Sequence, residues 1–318
     1  MSKLAVAIGR RGEQIEIAHG SQRVAVVESG GGLRAYEVDG RELLDGFPPG
    51  EQPRSGRGQV LAPWPNRIED GSYEFDGKRL QLPLTEPEHR NAIHGLVRWA
   101  PWNLVDAAPD RAVLDYTLEP QPGYPFSLAL SIEYVLSDAG LTVTTTARNI
   151  GAGPCPFGSG QHPYLTLGTP TIDTLSLRMP ARVVVVSDER GLPVRSESVD
   201  GTEHDFRGGR TIGGTVLDNA YTELERDGDG RACVLLDDAN GGSGVTLWVD
   251  ETYLYLVVFT GDPLPDVARR SIAVEPMTCP PNAFRSHDSL IRLEPGESIA
   301  STWGIEPRLA AGGGPHAQ

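Results

Sequence analysis

The sequence predicts an all-β fold built from many short strands, a sandwich or a barrel. Three observations carry that expectation. The dominant hydrophobic period is two: in residues 127–136 (SLALSIEYVL) apolar side chains alternate with small or polar ones, the pattern of a strand with one buried face. Runs rich in β-branched residues recur at 23–27, 183–186, 245–249 and 254–260, and such side chains fit a pleated, half-buried surface. Turn dipeptides punctuate the chain, and Asp-Gly pairs tolerate the left-handed backbone that tight hairpins need.

The elements follow in order. A strand is expected at 23–27, with Asp39-Gly40 turning the chain behind it. Residues 73–80 (YEFDGKRL) read as a hairpin about Asp76-Gly77. Residues 127–136 and 141–148 (LTVTTTAR) flank a turn at Ser137-Asp138-Ala139-Gly140. Strands at 183–186, 245–249 and 254–260 follow, with hairpin turns expected at Asp227-Gly228 and Asp229-Gly230. No middle segment holds a helical apolar stripe beyond two turns without Gly, Pro or a β-branched residue. With no repeat at a fixed period a propeller is not supported, and no low-complexity linker divides the chain. One β domain over 1–308 is expected, with 309–318 (including Gly312-Gly313-Gly314-Pro315) a flexible tail.

The 318 residues carry 28 basic against 43 acidic side chains, a formal charge of −15. Phosphate binding needs a concentrated basic surface, so a nucleic-acid partner is not expected, nor is docking to an anionic membrane face. Apolar residues at 39% and charged residues at 22% describe a globular chain. Cys155, Cys233 and Cys279 are odd in number and far apart, which argues against a disulfide scaffold or structural zinc. The first residues hold too short an apolar run for a signal peptide, and no stretch approaches the ~18 apolar residues of a spanning helix. A reduced, cytoplasmic protein acting on a small neutral ligand is expected.

Several motifs are set aside. Residues 71–78 end in Gly-Lys with the wrong spacing for a phosphate loop. Neither Ser159 nor Ser243 completes a nucleophile elbow. His89 and His94 lack the regular spacing of a helical metal pair and no Cys/His cluster is present, so a metal site is not expected. Four stretches do not look like ordinary strands. In 58–68 (GQVLAPWPNRI) two prolines bracket Trp64 before Asn66-Arg67. Arg67 reads either as a solvated charge or as a guanidinium fork packed on the aromatic and donating to hydroxyls. His94, in Asn91-Ala92-Ile93-His94-Gly95, reads as a bonded core histidine or a ligand-facing one. Before His162, Gly158-Ser159-Gly160 would permit close approach of a ligand, and Pro163 would set the imidazole's direction. Glu275 ends the apolar run 272–274, where a carboxylate is costly unless paired or used.

These landmarks resemble the aldose 1-epimerase (mutarotase) family over roughly residues 18–305. The resemblance rests on Asn66-Arg67-Ile68 with Gly71 and Tyr73-x-Phe75, Ile93-His94-Gly95, His162-Pro163-Tyr164-Leu165, Leu217-Asp218-Asn219-Ala220-Tyr221 and Ala273-Val274-Glu275-Pro276-Met277, in the family's order. It implies a large antiparallel β-sandwich that interconverts sugar anomers without cofactor or metal. It implies Glu275 as general base on the C1 hydroxyl and His162 as general acid on the ring oxygen. Arg67, His94, Asp218 and Asn66 would hold the sugar, Asn66 by assisting Arg67. The two catalytic charges are expected to support each other and raise the histidine's pKa. The chain would act as monomer or homodimer.

Two departures bear on the substrate. Gln161 precedes His162 where many galactose mutarotases have Asn, and Val257 stands where a glutamine often precedes the Tyr-Thr-Gly-Asn stretch. The Gln161-His162-Pro163-Tyr164-Leu165 and Glu275-Pro276-Met277-Thr278 forms look closer to the less-characterised bacterial branch, so the identity of the sugar does not carry over. A hexose-6-phosphate epimerase would need arginines, of which Arg98, Arg178, Arg182, Arg269 and Arg270 are candidates. A non-catalytic carbohydrate-binding sandwich would use Trp64, Trp99 and Trp248 as stacking platforms.

Overall fold

The computed structural model describes residues 6–9, 12–238 and 242–308. The expected tail at 309–318 lies outside them. The fold is a large antiparallel β-sandwich. A nine-stranded sheet runs in the order Asn103–Ala108, Arg111–Leu118, Leu128–Ser137, Gly140–Asn149, Ser298–Arg308, Gly244–Val249, Ala232–Asp238, Leu175–Arg178, Arg210–Thr211. An eight-stranded sheet runs Pro193–Ser198, Ala181–Ser187, Asp218–Leu224, Tyr255–Phe259, Ile272–Met277, Gly160–Gln161, Val60–Leu61, with Tyr164–Leu165 also paired to Ile272–Met277. A five-stranded sheet is built from Val6–Gly9, Gly12–His19, Gln22–Val27, Leu33–Val38 and Arg41–Glu42. Helix among the described residues is confined to single turns at Pro87–His89, Ile172–Thr174 and Ala283–Ser286. None is long and apolar enough to cross a membrane.

The alternation read from the sequence is what builds the core. Leu128, Leu130, Ile132, Tyr134 and Leu136 are buried on one face of their strand, and they share a single apolar cluster with Leu256, Val258 and Val274 of the other sheet. Buried apolar area contributes roughly 25 cal/mol per Å², so this shared cluster is the main force holding the two large sheets together.

The hairpins at Asp39-Gly40 and Asp76-Gly77 form as expected, with both residues of each pair at positive φ. The Asp227–Gly230 segment differs. It links Asp218–Leu224 of the eight-stranded sheet to Ala232–Asp238 of the nine-stranded one, so it is a crossover between sheets rather than a hairpin. Its tightness is local: Asp227 Oδ1 accepts from the backbone N–H of Asp229 and of Arg231, both at 2.9 Å. Local turn chemistry reports a reversal of direction but not which sheet receives the next strand.

Candidate active site

Strand register assembles the site. Gly160 pairs with Met277 and Tyr164 with Ala273, which sets His162 opposite Glu275. On its other side Glu275 pairs with Val257, Val257 with Ala220, and Ala220 with Val185. Cross-strand partners share a face, so this row lies on the face of the eight-stranded sheet turned away from the main core. Val185, Ala220, Tyr255, Val257 and Met277 form a small second apolar cluster there, flanking Glu275. His162 Nε2 lies 3.3 Å from Glu275 Oε1, and both side chains are almost fully buried.

The other residues come from loops. Asn66 and His94 both sit in left-handed backbone, φ 54° and 61°, conformations that Asn and His accept more readily than most residues. They hold each other: the His94 backbone N–H donates to Asn66 O (2.9 Å), and the Asn66 backbone N–H donates to His94 Nδ1 (3.2 Å). An imidazole that accepts at Nδ1 and is neutral carries its proton on Nε2. His94 is held neutral, its pKa well below the usual range because it is buried beside His162, Arg98 and Arg67. It therefore presents an N–H donor. Asn66 Oδ1 accepts from the Arg67 backbone N–H at 2.9 Å, so the predicted help from Asn66 acts through the main chain.

Arg67 is a held fork, but not one packed on Trp64. It donates to Glu86 through Nε (2.8 Å) and Nη2 (2.9 Å), and Gly191 lies against the guanidinium so closely that a Cβ there would sit 2.3 Å from Nη1. Burial pulls this guanidinium's pKa down, yet the bonds to Glu86 outweigh it and hold it up. Asp218, on the strand beside Tyr255–Phe259, completes the set. A pocket of about 390 Å³ is lined by Asn66, Arg67, Glu86, His94, His162, Asp218 and Glu275, with Trp99 and Arg98 among the remaining walls. All six sequence-predicted site residues thus meet in one cavity.

Two expectations are corrected. Gly158 and Gly160 do not make room for a ligand: an added Cβ would sit 2.5 Å from Cys279 Sγ and 2.6 Å from Pro276 O respectively, so both serve close packing of neighbouring chain. Nor is His162 raised by its carboxylate neighbour. Burial, then the nearby Arg57, pushes it down, to about 3, while burial and the Asp218 charge push Glu275 well up. Desolvation penalises both charges more than their attraction returns, so burial favours the uncharged form of each group in the unliganded site. Asp218, though open to solvent, is also raised, by its walled surroundings.

His94, His162 and Glu275 place donor atoms within 4.8 Å of one another, among the described residues the one group of this kind able to hold a metal ion. Sequence spacing hid this group because its members come from three separate parts of the chain.

The sequence model of the aldose 1-epimerase family matches residues 13–306. The chain belongs to the aldose 1-epimerase family. Within it, the uncharacterized protein YihR of Escherichia coli (strain K12) is 34% identical over 90% of each chain. Galactose mutarotase of Bos taurus is 24% identical over 92% of this chain and 93% of its own. The sandwich is similar to that of a GalM/aldose epimerase homologue from C. elegans, with a TM-score of 0.84 at 19% identity covering 96% of this chain and all of that one. It is also similar to galactose 1-epimerase from Lactobacillus acidophilus, with a TM-score of 0.78 at 23% identity over 96% and 99% of the two chains.

In this aldose 1-epimerase-family pocket the largest omission of sequence reasoning is Glu86. It lies in an exposed-looking Thr-Glu-Pro-Glu-His run, where nothing local marks one acidic residue as the clamp of Arg67. Asn91 Nδ2 also donates to it at 3.1 Å. Glu86→Ala is expected to cost about 2 kcal/mol, because removing one partner strands a largely buried charge, and to lower Tm by several degrees. An unchanged Tm in differential scanning calorimetry would show that solvent replaces the carboxylate.

Proposed function

We propose that the protein is an aldose 1-epimerase in activity, interconverting the α and β anomers of an aldohexose through acid–base ring opening. The observation that carries this reading is the 3.3 Å contact between His162 Nε2 and Glu275 Oε1 on the floor of the pocket. Glu275 removes the proton from the C1 hydroxyl while His162 delivers one to the ring oxygen. The C1–O5 bond breaks to give the open-chain aldehyde, the C1–C2 bond rotates, and closure on the opposite face returns each proton to its donor. No net proton is gained or lost, so the pair needs one proton between them. The working form carries the proton on His162 whereas burial favours it on Glu275, and the two forms differ by a transfer across that one contact. Arg67 lowers the carboxyl's proton affinity, and a sugar hydroxyl donating to Glu275 would act in the same direction. His94 Nε2–H, the Arg67 guanidinium and Asp218 supply two donors and one acceptor for sugar hydroxyls.

The alternatives draw less support. Of the five arginines a phosphosugar reading would call on, only Arg98 lines the pocket. Arg269 is bound to Asp173 and Asp262, Arg270 to Asp45, and Arg182 to Glu225. Of the three tryptophans a binding module would use, Trp64 and Trp248 are buried outside the pocket, and only Trp99 faces it, 49% exposed.

Polarimetry of freshly dissolved α-glucose and α-galactose tests the proposal. The protein is expected to accelerate equilibration of at least one sugar, and His162→Asn to lose roughly 10²–10⁴ of that effect. Chelator treatment is expected to leave the rate unchanged. Inactivation reversed by a divalent metal would overturn the cofactor-free mechanism, and no acceleration of any aldose would overturn the activity itself.

A further inference from the structure

The strand that presents His162 to the pocket sends its preceding side chain the opposite way. Period-two alternation puts Gln161 into the core between the two large sheets, where it is 1% exposed. Every polar atom of its amide is engaged. The indole N–H of Trp303, on the nine-stranded sheet, donates to Gln161 Oε1 at 3.1 Å. Gln161 Nε2 donates to the Tyr134 hydroxyl at 3.0 Å, and that hydroxyl donates onward to Gly31 O at 2.7 Å. A longer bond runs from Nε2 to Gly58 O at 3.4 Å. An indole nitrogen only donates, so the amide's orientation is dictated by chemistry.

Trp303 and Tyr134 are themselves fully buried. A polar chain in such a place is costly unless every member is satisfied, and once satisfied it defines one geometry where apolar packing would tolerate several. The backbone ladder already fixes His162 within its sheet: its N–H donates to Gln59 O, and its carbonyl accepts from the Gly58 N–H. Nothing in that ladder sets how far the strand stands off the opposite sheet. Gln161 does, one residue before His162.

We propose that Gln161 is a positioning residue for His162: through Trp303 and Tyr134 it anchors the histidine's strand to the nine-stranded sheet and so sets the His162–Glu275 contact. The inference rests on the acid–base reading above for its kinetic consequence, though not for its geometry.

Gln161→Met, of similar length but without the amide, is expected to lower kcat roughly tenfold, since displacements of the order of 1 Å at a reacting group are that costly or more. KM should stay within about twofold, because Arg67, His94 and Asp218 sit on other elements. Trp303→Phe should show the same split, and the double variant should be no worse than either single one, as expected of residues acting as a unit. Gln161→Glu, which keeps the acceptor for Trp303, should recover part of kcat. Tyr124→Phe is the control: it removes a buried hydroxyl bond to Pro156 O in the same core but away from this chain, and should leave kcat unchanged. A kcat loss no larger than the control's at matched Tm, or a parallel rise in KM, would overturn the proposal. A crystal structure of Gln161→Met separates the two readings. The His162–Glu275 contact lengthened supports positioning even if no aldose proves to be a substrate, and the contact unchanged overturns it even if the parent is an active epimerase.

Discussion

Glu275→Gln is expected to lower kcat/KM by roughly 10²–10⁴-fold and, at neutral and alkaline pH, to melt at a higher temperature than the parent. The two effects share one cause. Glu275 stands in the row of the open sheet face between His162 and Val257, its Oε2 buried without a protein partner. Burial raises its pKa well above the usual carboxylate range. Between the unfolded value, about 4.3, and that raised value the folded parent binds more protons than its unfolded chain. Its stability therefore falls as pH rises through this window. Glutamine has nothing to ionise, so the difference in Tm should be small near pH 4 and grow toward pH 8. Each pKa unit of displacement corresponds to about 1.4 kcal/mol, enough for a shift of a few degrees. Calorimetry at three pH values beside polarimetry reads both. A variant that is inactive yet less stable throughout would mean that Glu275 anchors the fold, and a variant with retained activity would remove it from the chemistry.

His162 has the opposite linkage. Its lowered pKa means that stability is full above about pH 6.5 and is lost as acid forces a proton onto the buried ring. The pair is thus least costly in the neutral form, yet catalysis calls for the charged one. A site that holds its acid and base in the uncharged tautomer until a sugar supplies hydrogen bonds would stabilise its working charges only when loaded. That is a stability–activity trade-off of the kind expected where function overrides burial preference.

The parts legible in the sequence were those with short-range signatures. Alternation in 127–136 specifies which face of Leu128–Ser137 is buried, and the two Asp-Gly hairpins specify their own backbone. The identities of Glu275, His162, Asn66, Arg67, His94 and Asp218 followed from motif order, and the sheet register unites them in one pocket. What stayed hidden was long-range. The destination of the chain after Asp227–Gly230 depends on packing between sheets. The Glu86 clamp joins residues whose pairing no local pattern encodes. The protonation of the central pair was inferred with the wrong sign, because mutual attraction can be read from two opposite charges whereas burial cannot be read from either. Glycines misled in the same way: Gly158 and Gly160 flank the histidine in sequence but answer to Cys279 and Pro276, whereas the glycine that matters to His162 lies a hundred residues upstream in Ser55-Gly56-Arg57-Gly58.

That residue carries the second large expected effect. Gly56→Ala should lower kcat/KM roughly 10²-fold although alanine brings no reactive group. Gly56 lies in left-handed backbone at φ 78°, and a Cβ there would sit 2.4 Å from His162 Cδ2 and 2.9 Å from Nε2. The collision is with the edge of the ring that faces Glu275. The ring has little room to retreat, because Tyr164 is stacked parallel to it at 5.0 Å between centroids, and Arg57 lies over that tyrosine at 4.2 Å. Either the imidazole turns away from Glu275 or the 55–58 turn lifts off the pocket wall, and both separate the acid from the base. Backbone strain alone would destabilise without touching the chemistry, so a second glycine provides the comparison. Gly20, at φ 57° in a turn of the five-stranded sheet, has nothing within 4 Å of its would-be Cβ. Gly20→Ala should lose a similar ~1 kcal/mol of stability with kcat/KM intact. If both variants lose only stability, the ring tolerates the intrusion and the pocket is softer than its packing implies. If Gly56→Ala alone loses activity, the space that Gly56 leaves beside His162 is what keeps the acid against the base.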